Sequence, residues 1–191
     1  MKPRRPFIVG IGGTTRAGSS TERVLRQSMD MLAEEGAETR IFAGLDLCFP
    51  PYAGPGTRDE KATDFLAALR ACDGLIMATP SYHGSISGML KNAIDYTEDM
   101  RADQRVYFDG LPVGCICCAG GWQAASHTLG AMRSIVHSLR GWPTPIGVVV
   151  NTSQIVFDED GKLIDQSIQA QLKLMASQIL AFTYAFLQPR D

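Results

Sequence analysis

The chain has 191 residues, 45% of them hydrophobic and 20% charged, with a formal net charge of −2. That length can bury a full core as one domain over residues 1–191, and the near-neutral balance gives no electrostatic basis for binding nucleic acid. No segment approaches the roughly 20 consecutive apolar residues of a membrane span, so neither nucleic acid nor a bilayer is an expected partner.

The start, Pro3-Arg4-Arg5-Pro6-Phe7-Ile8, carries the arginine pair of an export signal. The apolar stretch behind it breaks at Gly12-Gly13, too soon for a signal core of about 7–15 residues. Residues 7–12 are therefore read as the first strand, and a cytoplasmic location is expected.

That strand runs into Gly12-Gly13-Thr14-Thr15-Arg16-Ala17-Gly18-Ser19-Ser20-Thr21 and then into a helical pattern. Glycines let backbone N–H groups turn toward an anion, and the helix that follows offers its positive end. A dinucleotide fingerprint needs a third glycine, where Thr15 stands; a nucleoside-triphosphate loop needs a lysine, where Ser19 stands. What remains suits one terminal phosphate, held by amides, by the hydroxyls of Thr14, Thr15, Ser19, Ser20 and Thr21, and by the guanidinium of Arg16.

The elements continue as helix 20–35, strand 38–43, helix 59–72, strand 74–79, helix 86–98, strand 112–118, helix 122–140, strand 145–150 and helix 165–187. Gly74–Ala78 and Ile146–Val150 are continuous apolar runs, the pattern of strands covered on both faces. Alternating strands and helices predict an α/β, doubly wound, five-stranded parallel sheet in three αβα layers, with ligands at the carboxyl ends of the strands.

Two further loops belong to that edge. Thr79-Pro80-Ser81-Tyr82-His83-Gly84-Ser85 combines a stiffening proline, an aromatic with a polar tip, and a glycine that admits a flat ligand. Ala119-Gly120-Gly121-Trp122-Gln123 opens another helix, with two glycines able to aim amides at developing negative charge. The chain's five cysteines make no disulfide framework; Cys115 and Cys118 form a Cys-x-x-Cys, but inside a strand pattern rather than at a helix start, and are read as core residues and not as a redox pair. His83, His127 and His137 have no metal-ligand spacing, and no metal is expected. Asp160-Gly161 is read as a tight turn and not a calcium loop. In the final helix, Ile168, Leu172, Met175, Ile179, Phe182 and Phe186 form a seam that can dock on the sheet or widen into a subunit contact.

Three motifs carry a resemblance to the NAD(P)H-dependent FMN reductase family: Gly13-Thr14-Thr15-Arg16-Ala17-Gly18-Ser19-Ser20-Thr21, the long stretch from Thr79 to Asp95, and Ala119-Gly120-Gly121. The resemblance runs from Phe7 to the last helix and implies a flavodoxin-like fold. It also implies FMN as cofactor, with Thr14, Arg16, Ser19 and Thr21 on the phosphate and neighbouring Ser20 in the same cradle. Pro80, Ser81, Tyr82, His83 and Gly84 would line the isoalloxazine, and Gly120 and Gly121, next to Ala119, its pyrimidine edge. A homodimer or homotetramer with flavin near the subunit contact is implied as well. Members often carry serine and asparagine where this chain has Thr14 and Thr21. Many have glutamate and asparagine where it has Ser81 and His83, positions that bear on the choice of acceptor.

The expected activity is hydride passage from NADPH or NADH, through FMN, to a small-molecule acceptor such as free flavin or a quinone. Azo or chromate-type reduction is an alternative. No acid–base triad is required, because the cofactor carries the hydride; His83 is a candidate hydrogen-bond or proton donor. A second class is a flavodoxin-type electron carrier, to which the weak net charge and Arg16 fit poorly. Arg16, Arg58 and Arg101 are candidate cations for a nucleotide 2′-phosphate.

Overall fold

The computed structural model describes residues 4–56 and 59–186. Strands β1 (Phe7–Gly12), β2 (Glu38–Ala43), β3 (Gly74–Pro80) and β4 (Pro112–Ala119) alternate with helices α1 (Ser20–Glu34), α2 (Glu60–Ala71), α3 (Gly88–Asp95) and α4 (Trp122–Ser138). Two short strands, β5 (Trp142–Pro143) and β6 (Val148–Asn151), precede the long α5 (Gln166–Phe186). All strand pairs are parallel, in the order β2-β1-β3-β4, with β5 and β6 both on the outer side of β4. This is the doubly wound order of flavodoxin-like folds.

Pleating splits the strand residues between two cores. Val9, Ile11, Leu75, Met77, Val113 and Cys115 pack with Leu69, Leu90 and Met132 of α2, α3 and α4. Ile8, Ile76, Ala78, Ile116 and Cys118 pack with Leu25 and Met29 of α1 and Leu172, Met175 and Ile179 of α5. Because β1, β3 and β4 are covered on both faces, their sequences read as unbroken apolar runs. Each large side chain buried this way contributes about 1.5–3 kcal/mol.

The expected fifth strand, 145–150, is corrected to two pieces. Thr144 still donates to the Val113 carbonyl at 3.0 Å, but the ladder then opens. Pro145 has no N–H, Ile146 donates instead to the Gln178 side chain of α5 at 3.1 Å, and Arg133 of α4 takes the Thr144 carbonyl at 2.7 Å. Side chains thus satisfy a stretch of backbone that strand pairing leaves open. The helix expected at 86–98 starts at Gly88, capped by Ser87, and finishes as a 3-10 turn over Tyr96–Met100. In α5 the seam docks through Ile168, Leu172, Met175 and Ile179, whereas Phe182 and Phe186 stack on each other, with Trp142 beside Phe182. Asp160-Gly161 does form a turn, with Gly161 at φ 80° and its amide on the Asp158 carbonyl. No described helix is long and apolar enough to cross a membrane.

Candidate functional site

The parallel register ends β1, β3 and β4 on one edge, and the loops beginning at Gly13, Ser81 and Gly120 meet there. Gly13 donates to the Ala78 carbonyl at 2.8 Å. A Cβ at Gly13 would stand 2.7 Å from Ser87 Oγ and 2.9 Å from Leu90 Cβ. Only glycine lets the first loop run this close to the start of α3.

Beyond Gly13 the loop is held by its own side chains. Thr14 Oγ1 accepts from the Arg16 amide at 3.2 Å, and Ser19, almost fully buried, caps α1 by accepting the Glu22 amide at 3.2 Å. Serine at this position satisfies an orphan helix donor and still has its own proton to give. Among the described residues, the amides of Thr15, Ala17, Ser20 and Thr21 donate to nothing, and the exposed Arg16 side chain has no partner. Ser20 is half-buried at the first helical position. Together they leave a set of open donors and one free positive charge, the chemistry of a phosphate cradle.

Thr21 departs from the expected role. It is buried on the inner face of α1, where its hydroxyl meets the thiol of Cys118, so only its amide faces the loop side as an unpaired donor.

Two neighbours escape a reading of the loop alone. Glu22 accepts the Gly18 amide at 3.0 Å and pairs with Arg26 at 2.7 Å, which withdraws one amide from any anion and neutralises the added carboxylate. Ser19-Ser20-Thr21-Glu22 has capping-box spacing, and that was the available signal. Arg23 stacks on Phe157 with its guanidinium carbon 5.6 Å from the ring centre, and lies against Gly161. Its guanidinium has no hydrogen bond or ion pair among the described residues, and its companions come from a distant hairpin. Of the other cations, Arg101 pairs with Glu98 at 3.5 Å beyond the far end of α3, away from this edge. Arg58 lies outside the described residues.

The second loop is a tight turn. Tyr82 and Ser85 exchange backbone hydrogen bonds at 3.0 Å in both directions, and the residues between them, His83 and Gly84, have φ of 50° and 79°. Two successive left-handed residues define a type I′ turn, which glycine enters freely and histidine tolerates better than most. Pro80 and Ser81 are half-buried, and Tyr82 and His83 stand in solvent. Ser81 Oγ lies 2.7 Å from Thr128 Oγ1 and donates to the Ala124 carbonyl at 3.3 Å, which ties the turn to α4. Over Gly84 sits the ring of His127, 3.6 Å from where a Cβ would be. Sequence spacing gave no reason to join His127 to this loop.

The third loop needs its glycines for no internal reason. Gly120 and Gly121 have no left-handed φ, and a Cβ on either would meet nothing within 4 Å. Gly121 caps α4 without a side-chain bond, so the first amides of that helix stay open beside half-buried Ala119. Space and unpaired amides are what a flat polar edge would occupy. The cysteines behind this loop are inert by comparison: burial pushes the thiols of Cys115, Cys117 and Cys118 up to about 12, and that of Cys72 up to about 11. Only Cys48 is exposed.

Known proteins are similar to this chain. A family model described as NADPH-dependent FMN reductase matches residues 6–154. An FMN-dependent NADPH-azoreductase of Staphylococcus aureus is 33% identical over 181 residues, covering 89% of this chain and 91% of the relative. Among solved structures, the flavoenzyme FerB, an NAD(P)H:(acceptor) oxidoreductase from Paracoccus denitrificans, superposes with a TM-score of 0.77 at 18% identity, over 94% of this chain and 98% of FerB. A flavodoxin, WrbA-like protein from Agrobacterium tumefaciens superposes with a TM-score of 0.64 at 16% identity, over 95% of this chain and 99% of that one. The fold is therefore flavodoxin-like, and the chain belongs to the NADPH-dependent FMN reductase family, an oxidoreductase that uses FMN and NAD(P)H.

Proposed function

We propose that the protein reduces a planar aromatic acceptor, a quinone or an azo compound, with NADPH through FMN bound at the three-loop edge. The observation that carries this reading is the pairing of a loop after β1 that keeps open amides and a free guanidinium with an exposed turn that presents Tyr82. The donors fit FMN's phosphate: Thr14, Arg16, Ser19 and Ser20 would hold it, with the free amides of Thr15, Ala17 and Thr21. Pro80, Ser81, Tyr82, His83 and Gly84 would lie along the ring, with Ala119, Gly120 and Gly121 at its pyrimidine edge. Bound FMN supplies hydride relay; the chain's task is to orient the rings and to stabilise negative charge with the open amides of α4.

The azoreductase relative favours NADPH and an aromatic acceptor. A carrier without its own NAD(P)H oxidation is the competing reading. Anaerobic turnover of FMN-loaded protein with NADPH or NADH against menadione, methyl red and free FMN separates them. Steady oxidation of NADPH with menadione or methyl red is expected; no oxidation of either nucleotide with any acceptor would make the protein a carrier.

The site edge also suggests assembly as a homodimer or homotetramer. Leu45, Tyr82, Trp122 and Ile155 are 71%, 57%, 52% and 84% exposed, and each follows the carboxyl end of a strand. Large apolar side chains gathered around one edge mark a contact surface. Sedimentation should give a dimer or larger, and a monomer that still binds FMN tightly would remove this part of the reading.

A further inference from the structure

We propose that His127, and not His83, gives the proton that completes reduction of the acceptor; this rests on the quinone or azo reading above. His83 is accounted for by the backbone, since it fills the first left-handed position of the type I′ turn. His127 has no such explanation. It is exposed on the second turn of α4, and its imidazole makes no hydrogen bond or ion pair among the described residues. Yet it is placed. The bonds from Ser81 to Thr128 and to the Ala124 carbonyl lock that face of α4 onto the turn, and the imidazole lies across Gly84, with Cδ2 at 3.6 Å and Nε2 at 4.0 Å from a Cβ there. An imidazole so fixed stands at the border between the proposed ring platform and solvent, where an acceptor enters.

The chemistry needs such a group. A quinone that receives a hydride on one oxygen forms an O–H bond there, its π electrons shift, and the second oxygen carries the displaced pair as a phenolate. The protonated imidazole of His127 gives its N–H proton to that oxygen: one N–H bond breaks, the second O–H bond forms, and hydroquinone leaves. The nicotinamide is the two-electron reductant, and water returns the proton to the ring. General acids of this kind supply about 10²–10⁴-fold.

The test compares acceptors that do and do not take up a proton. In His127→Gln, kcat with NADPH and menadione should fall about 10²-fold, while turnover with ferricyanide, which accepts electrons alone, and FMN affinity by flavin fluorescence should hold. His137→Gln, elsewhere on α4, should change none of these. Independently of turnover, the His127 imidazole NMR signals of FMN-loaded wild type should shift when benzene-1,4-diol is added. Equal losses with both acceptors, no loss with menadione, or unmoved His127 signals would overturn the assignment. Wild type that reduces ferricyanide but neither menadione nor methyl red would instead remove the acceptor reading, and this one with it.

Discussion

The loop after β1 and the turn after β3 touch at Gly13 and Ser87, yet they are specified in opposite ways. The first is specified by chemistry: hydroxyls, a cap and a free guanidinium surround amides that have nowhere else to donate. The second is specified by geometry: a pair of left-handed residues closed by reciprocal backbone bonds, with the Ser81 hydroxyl committed to α4. Past Gly13, the first region depends on its donors and its charge, the second on its backbone conformation. A phosphate is recognised by donors and a flat ring by a surface, so the contrast follows from what each end has to hold.

The contact between the two regions is the most damaging place to intervene. Gly13→Val would drive a side chain into Ser87 and Leu90, and should cost about 1–3 kcal/mol in urea unfolding as well as most of the FMN binding. Full stability with intact binding would show that the loops do not depend on each other. Arg16→Ala should act on the donor side alone, weakening FMN roughly 10- to 150-fold in fluorescence titration of the apoprotein while leaving the unfolding midpoint in place. Unchanged affinity would take Arg16 out of the cradle. Gly84→Ala should show the converse on the ring side, a destabilisation of about 1–2 kcal/mol from its left-handed φ. Smallest of all, His83→Asn should raise stability by a few tenths of a kcal/mol, because asparagine is preferred in this turn. A large drop instead would mean that the imidazole, and not the backbone, holds the turn.

Strand ends and glycine-rich loops were legible because burial on both faces writes an unbroken apolar run and the breaks in it stand out. Gly74–Ala78 is the clear case. The outer strand was not legible, since whether Ile146 pairs in a ladder or donates to Gln178 depends on a side chain from another helix. Thr21 was read as a phosphate ligand from its hydroxyl, although its helical phase with Leu25 and Ser28 placed it on the inner face. Arg23 and His127 left no trace in spacing because what positions them, Phe157 and Gly84, lies far off in the chain.

The split at the sheet's outer margin has a bearing on solubility. A margin of two residues, a gap containing Pro145, and then four residues offers a neighbouring molecule no continuous ladder to extend. Edge-to-edge stacking, the route by which open β-sheets polymerise, is blunted at that side. At this margin, copies of the chain that associate are left with side-chain contacts, which can close on themselves.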